Sequence, residues 1–170
     1  MRHRPPLSRP KRMTDHGRMC SVPDAVAYLV GRWSIDRTVI DELSGARGSF
    51  IGTAEFRRVG DELLEEESGE FEWGGVTNPA SRSHRLVPRA DGTADVLFAD
   101  GRPFHDLDLR TGRWSTRHPC AADFYDGEFT VVSPDEWHLR WRVSGPAKTQ
   151  LLTSVYRRIP PAGRPPIPAP

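Results

Sequence analysis

The sequence predicts an all-β protein: a single up-and-down antiparallel β-barrel of about ten strands, with a short N-terminal capping helix. From Trp33 onward, apolar residues alternate with polar ones at period two, as in strands with one buried face. Turn residues then recur at regular intervals as far as Ile159. Because exposed strand edges invite unwanted pairing, so many strands in one domain are most simply accommodated by closing into a barrel.

The chain of 170 residues divides into three segments. Residues 1–20 mix Pro, Arg and Ser without periodicity, and their six basic residues against one acidic residue predict a disordered basic arm. Residues 21–159 form the barrel domain, and residues 160–170 form a disordered Pro-rich tail. Met13 and Met19 are alternative starts of the chain.

A short helix is predicted over residues 22–30, before the first strand. Ser21 can cap it, and Pro23 falls in the first turn, where its missing N–H costs nothing. One apolar stripe follows, made of Val22, Val26, Leu29 and Val30. Gly31 can adopt the left-handed conformation that ends a helix.

The period-two pattern then places the strands one after another. In the first strand, one face carries Trp33, Ile35, Arg37 and Val39. In the second, small residues at Gly52 and Ala54 permit sharp curvature. The predicted strands cover residues 33–39, 50–56, 63–73, 81–87, 94–99, 104–109, 113–120, 123–131, 137–143 and 149–159.

Composition excludes several classes of function. No apolar run approaches the roughly 20 residues needed to span a bilayer, so we expect no membrane segment. Residues 21–170 carry 18 basic and 22 acidic side chains, which argues against a nucleic-acid surface on the folded part. With only Cys20 and Cys120, and no secretory signal, we expect no disulfide framework and a cytoplasmic location.

A Gly-x-Trp motif at Gly31 and Trp33, following a short capped helix, resembles the calycin group of lipocalins, fatty-acid-binding proteins and nitrobindin-like barrels. The resemblance implies that Trp33 seals the narrow end of the barrel under Arg157 or Arg158. The segments FADGRPFH (98–105), HPCAADFY (118–125) and WRVSGPAK (141–148) are similar to those of an uncharacterised bacterial family, thought to be calycin-like. That second resemblance supports the fold and implies no activity.

Ionisable residues fall on the inward faces of several predicted strands, where burial costs several kcal/mol unless the groups are paired. In one interpretation Arg82 pairs with Glu67, the histidines bond their neighbours, and the interior is filled. In a second, the polar set orients one modest ligand, which a small barrel can enclose. The candidate ligand-binding residues are Arg82, His84, His105, His118, Asp123, Tyr125, Tyr156 and Arg158.

Two chemical hypotheses use the same inward faces. For catalysis, His105 would act as a base, Asp123 would orient it, and Tyr125 would donate a proton. For zinc, His118 and Cys120 would supply two donors on one strand face. No cofactor is predicted from the sequence. Zinc stays open as an alternative, and so does haem, which nitrobindin-like barrels bind through a histidine.

The sequence thus predicts a barrel that binds a small anionic or amphipathic molecule in its lumen, because arginines grip carboxylates with paired hydrogen bonds. The first alternative is a small cofactor-independent enzyme of the isomerase, cyclase or lyase type, using His105 and Asp123. The second is a ligand-free barrel that acts through a protein partner. The oligomeric state is left open.

Overall fold

A computed structural model describes residues 20–161 of the chain. Within this range one helix precedes ten strands. Most of the predicted basic arm and Pro-rich tail lies outside the described residues. The elements are α1 (Ala25–Leu29), β1 (Gly31–Asp41), β2 (Arg47–Val59), β3 (Glu62–Trp73), β4 (Val76–Pro88), β5 (Ala94–Phe98), β6 (Pro103–Leu107), β7 (Arg113–Cys120), β8 (Asp123–Ser133), β9 (Glu136–Ser144) and β10 (Thr149–Ile159).

The ten strands form one antiparallel sheet in the order β6-β5-β4-β3-β2-β1-β10-β9-β8-β7. Because β1 pairs with both β2 and β10, the sheet curls into a nearly closed up-and-down barrel, which confirms the predicted fold class. Among the strands described, β6 and β7 are neighbours in the barrel without a shared backbone ladder. Side chains join them instead: Trp114 Nε1 donates to the Asp106 carbonyl at 3.0 Å, and Thr116 Oγ1 lies 3.1 Å from Asp106 Oδ1.

The helix is shorter than predicted and begins later. Asp24, not Ser21, is its N-cap, with extended backbone and a carboxylate that accepts the Ala27 N–H at 2.9 Å. The hydroxyl of Ser21 donates to the Arg110 carbonyl, and the Val22 N–H donates to the Leu109 carbonyl. These long-range bonds tie the residues before Asp24 to the barrel, so they cannot join the helix.

Trp33 seals the end of the barrel where α1 lies, which we call the closed end. Its side chain is fully buried, and its Nε1 donates to the Leu29 carbonyl at 2.8 Å. The Arg158 guanidinium lies 4.1 Å from the centre of the indole and donates to the carbonyls of Tyr28 and Val30. Arg158 is therefore the cover that the calycin resemblance implied.

The connections β1–β2, β3–β4, β5–β6, β7–β8 and β9–β10 lie at the opposite end, which we call the open end. Between the two ends, side chains at alternate positions of every strand fill the interior around a single core. Among the described residues no helix is both long enough and apolar enough to cross a membrane.

Candidate functional site

A network of polar side chains crosses the barrel interior at the carboxylate of Glu67. Nη2 of Arg37 lies 2.9 Å from both Glu67 oxygens, and the Tyr156 hydroxyl donates to Oε1 at 2.5 Å. Arg37 Nε also donates to the Ser154 hydroxyl at 2.8 Å. From the next strand, Arg82 Nη2 donates to Oε1 at 3.0 Å. Arg82 Nε is 2.7 Å from Oε2, but its N–H does not point at that oxygen, so this contact is an ion pair.

The network carries a net positive charge. Glu67 is only 2% exposed, and burial alone would raise its pKa. The charges of Arg82 and Arg37, with the hydrogen bonds it accepts, outweigh burial and lower the pKa of Glu67 to about 2. Burial and the neighbouring Glu67 raise the pKa of Tyr156, which keeps its phenol neutral. Two guanidinium groups therefore face one carboxylate.

A cavity of about 470 Å³ opens beside this network, and we call it the mouth pocket. Val39, Trp73 and Gln150 line it close to the strand connections of the open end. The mouth pocket thus leads from solvent down to the network. Its remaining lining residues are Arg37, Phe50, Glu67, Phe71, Ala80, Ser81, Arg82 and Leu152.

A second space of about 40 Å³ lies nearer the closed end, and we call it the inner cavity. Its walls are mostly apolar, but a buried histidine–glutamate contact faces it, with His84 Nδ1 3.0 Å from Glu65 Oε2. His105 also lines this cavity, and its Nδ1 lies 2.7 Å from the Asp106 carbonyl. Burial lowers the pKa of His105 to about 4, so its imidazole is neutral at pH 7.

The other half of the open end is filled by aromatic rings instead of a pocket. The ring of His118 contacts Phe98 and Phe104 edge-on, with centroids 5.6 and 5.0 Å apart. Tyr125 lies beside His118, with ring centroids 6.4 Å apart. Packing of this kind stabilises the wall of the barrel and leaves these side chains little room to turn.

The candidate residues therefore separate into distinct places. Arg82 lines the mouth pocket, and Tyr156 supports it from the network. His84 and His105 line the inner cavity. His118, Asp123 and Tyr125 lie at the aromatic side of the open end, and Arg158 covers the closed end.

The three residues of the catalytic hypothesis are not brought into one cluster. The Asp123 carboxylate is 2.8 Å from Lys148 Nζ, which also reaches the Tyr125 hydroxyl at 3.5 Å. His105 bonds the backbone of Asp106 instead of a carboxylate.

Metal-binding side chains are dispersed over the described part of the chain. Among residues 20–161, no group of three or more His, Cys, Asp or Glu side chains could hold a metal ion. The hypothesis of zinc at His118 and Cys120 therefore gains no third ligand from these residues. Cys120 is exposed at the end of β7.

Arg37 belongs to the network around Glu67, but the candidate set from the sequence omitted it. The signal was present, because Arg37 alternates with Trp33, Ile35 and Val39 on the inward face of the first strand. A buried arginine on such a face requires an acidic partner. Its position in β1 brings it to Glu67 of β3, two strands away.

The fold and the sealed closed end define a calycin-like β-barrel, and the comparisons with known proteins agree. Residues 29–158 match a family of unknown function, DUF6314, and the chain belongs to this family. No curated protein matches the chain.

The chain is similar to several solved structures, of which a phycobiliprotein lyase supports the barrel fold. The S-type phycobiliprotein lyase CPES from Guillardia theta superposes with a TM-score of 0.62 at 10% identity, covering 84% of this chain and 95% of that one. EF1p2_mFAP2b bound to DFHBI has a TM-score of 0.45 at 17% identity, covering 82% and 100%. A DUF3598 protein of unknown function from Nostoc punctiforme has a TM-score of 0.46 at 10% identity, covering 82% and 51%.

Proposed function

We propose that this protein binds a small amphipathic molecule in the mouth pocket, with the anionic group of the molecule held by Arg37 and Arg82. The observation that carries the proposal is the excess of positive charge at the inner end of the pocket, where two guanidinium groups share the Glu67 carboxylate. A cavity of about 470 Å³ lies within the range of roughly 300–1,000 Å³ that small-molecule sites occupy.

Both arginines keep donors for an added anion. Within residues 20–161, Nη1 of Arg37 and Nη1 of Arg82 have no hydrogen-bond acceptor. The Arg82 side chain is 36% exposed, so a ligand can reach it from the mouth pocket. A carboxylate, sulfonate or phosphate oxygen would accept charge-assisted hydrogen bonds from these Nη1 groups.

The outer part of the mouth pocket suits the apolar part of such a molecule. Phe71 and Trp73 stack with centroids 6.1 Å apart and planes 17° apart, which forms a flat aromatic surface on β3. Phe50 on β2 and Leu152 on β10 add further apolar surface to the pocket. The ligand therefore enters with its anionic group first and leaves its apolar body among these side chains.

Two fluorescent probes of matched shape test the proposal. 1-Anilinonaphthalene-8-sulfonate carries a sulfonate, and N-phenyl-1-naphthylamine has the same aromatic frame without it. We expect the purified protein to bind the sulfonate at least tenfold more tightly, because one charge-assisted hydrogen bond contributes about 1.5–3 kcal/mol. Arg82→Gln should remove most of this preference and leave the affinity for the neutral probe unchanged.

Arg140→Gln is the matched control, because Arg140 lies on the outer surface and pairs with Glu128. It should change neither affinity. Circular dichroism on each variant checks that the sulfonate probe reports the pocket and not a partly unfolded chain. Equal affinities for the two probes, or a sulfonate affinity that survives Arg82→Gln, would contradict the proposal.

A cytoplasmic location and the absence of a nucleic-acid partner stay predictions from the sequence. The proposed ligand requires neither zinc nor haem, since the groups that would bind it are the protein's own arginines.

A further inference from the structure

The inner cavity is separate from the mouth pocket. The Glu67 network lies between them, and Arg82 borders both spaces. The inner cavity measures about 40 Å³, enough for about three water-sized groups at roughly 10–15 Å³ each. A molecule that fits the inner cavity is therefore far smaller than a ligand that would fill the mouth pocket.

One donor in the wall of the inner cavity has no partner. The side chain of Trp137 lines the cavity and is 5% exposed, and its buried Nε1 finds no acceptor among residues 20–161. Buried indole N–H groups are normally hydrogen-bonded, because leaving one unpaired costs about 1–3 kcal/mol.

The indole of Trp137 is held in place on several sides. Tyr156 stacks on it with centroids 3.8 Å apart, and Phe129 stacks on it at 6.3 Å. Trp33 contacts it edge-on at 6.3 Å. The indole is therefore fixed in orientation by its neighbours.

The polar groups around the inner cavity favour a neutral occupant. His105 Nδ1 must carry the proton it donates to the Asp106 carbonyl, which leaves Nε2 as an acceptor in the neutral imidazole. Glu65 already uses one carboxylate oxygen on His84 and would repel an anion, whereas the guanidinium of Arg82, which also lines the cavity, is paired with Glu67. The apolar remainder of the wall would make a bare charge costly to bury.

We propose that the inner cavity is a second binding site, which takes a small neutral carbonyl compound whose oxygen accepts the Trp137 N–H. This site is independent of the mouth pocket and of the anionic ligand proposed for it. The carbonyl oxygen of the compound matches the indole donor, and its few carbon atoms match the apolar wall.

Access to this site runs between β6 and β7. A groove at the surface there is lined by Val96, Phe104 and His105, and the same three residues line the inner cavity. These three residues therefore border both spaces. Because β6 and β7 are joined by side chains of Trp114 and Thr116 instead of a ladder, this is where the wall can open most readily.

Acetone and isobutene provide a matched pair of probes, since they have the same shape and only acetone has an acceptor. In the ¹⁵N-labelled full chain, the five tryptophans should give up to five indole resonances, and Trp137→Phe identifies the one from Trp137. We expect acetone to shift this resonance downfield in a saturable way, with a dissociation constant on the order of millimolar for so few atoms. Isobutene, followed through the methyl resonances of Leu107 and Leu139, should bind roughly tenfold more weakly, as expected for one lost hydrogen bond.

Trp137→Phe keeps an aromatic ring in the stack and removes the donor, so the preference for acetone should disappear. Trp73→Phe in the mouth pocket is the control and should keep it. Val96→Leu leaves Trp137 intact and narrows the cavity, so it should weaken acetone binding even if Trp137→Phe does not fold. The proposal is overturned by an indole resonance that acetone does not move, by an acetone preference that survives Trp137→Phe, or by an acetone affinity that Val96→Leu leaves unchanged. If a bound water molecule is held so firmly that acetone does not displace it, the Trp137 indole resonance does not move, and the proposal is overturned.

Discussion

The phenol ring of Tyr156 stacks on the indole of Trp137, with ring centroids 3.8 Å apart and planes 7° apart. The hydroxyl of Tyr156 belongs to the Glu67 network at the inner end of the mouth pocket, whereas Trp137 lines the inner cavity. The stacked pair therefore connects the Glu67 network to a wall residue of the inner cavity.

Tyr156→Phe separates the two contributions of this side chain. The ring and its stacking on Trp137 remain, while the hydrogen bond to Glu67 and the one accepted from Arg37 are lost. We expect the free energy of unfolding in urea to fall by about 1.5–3 kcal/mol, as for hydrogen bonds to charged groups. Tyr125→Phe removes only a 3.5 Å contact with Lys148 and should cost much less. Equal losses in the two variants would show that the network does not stabilise the barrel.

Glu67→Gln should be more damaging than the loss of the Tyr156 hydroxyl. The glutamine keeps the shape of the side chain, but the charges of Arg37 and Arg82 are left without their carboxylate. Breaking a buried ion pair from one side costs about 3–5 kcal/mol. Glu66→Gln is the control, since Glu66 is half-exposed and pairs with Arg57 on the outer face. Denaturant unfolding of both variants measures the difference.

A second change, Arg82→Gln, should restore part of the free energy of unfolding that Glu67→Gln loses. It removes one of the two positive charges that are left without a carboxylate. In the double variant we expect the free energy of unfolding to exceed that of Glu67→Gln alone, which is the sign of a direct coupling. Two losses that simply add would mean that Arg82 interacts with solvent more than with Glu67.

The sequence could predict the barrel but only part of its interior. Alternation at period two identifies which side chains point inward, and this was sufficient for all ten strands because each has one face less exposed than the other. Alternation does not give the depth of a side chain between the two ends. His105 and Asp123 both lie on predicted inward positions, yet register places one at the inner cavity and the other at the rim of the open end.

The partners of the polar residues were predictable where the strands are adjacent. Glu67 and Arg82 are direct neighbours across β3 and β4, and their pairing was among the interpretations from sequence. Arg37 lies on β1, and the side chain must reach past β2 to Glu67. Such a contact depends on the curvature of the closed barrel, which no local pattern encodes. The Asp24 cap was missed for a related reason, because contacts from Ser21 and Val22 to the barrel override local helix signals.

His105 should make the protein less stable in mild acid. Its pKa is lowered mainly by burial to about 4, against 6.5 for an ordinary histidine, so between these values the unfolded chain binds a proton that the folded protein does not. The stabilisation is complete above about pH 6.5 and is lost as the pH falls toward 4. At about 1.36 kcal/mol per pKa unit, the loss amounts to roughly 3 kcal/mol at most.

Measuring the free energy of unfolding from pH 7 to pH 4 tests this, with His105→Gln as the variant. In His105→Gln we expect the free energy of unfolding to change less steeply with pH between pH 7 and pH 4. This holds whatever the variant does to stability at pH 7. His138→Gln, which removes a histidine whose side chain is 41% exposed, is the comparison variant. Glu67, with its pKa lowered to about 2, contributes its own loss only below about pH 4.5. An unchanged slope in His105→Gln would mean that other groups carry the acid sensitivity.

The gap between β6 and β7 should be the least protected part of the barrel wall. Backbone amides that face the gap have no partner strand, whereas those of β1 are paired on both sides. We therefore expect hydrogen exchange to be faster in β6 and β7 by an order of magnitude or more, since exchange follows the free energy of local opening. Thr116→Val removes the side-chain bond to Asp106 and should speed exchange in both strands further. Thr153→Val, on the outer face of β10, should leave exchange at the gap unchanged. If Thr116→Val also left it unchanged, the hydroxyl would not be holding the gap closed, and the route into the inner cavity would lie elsewhere.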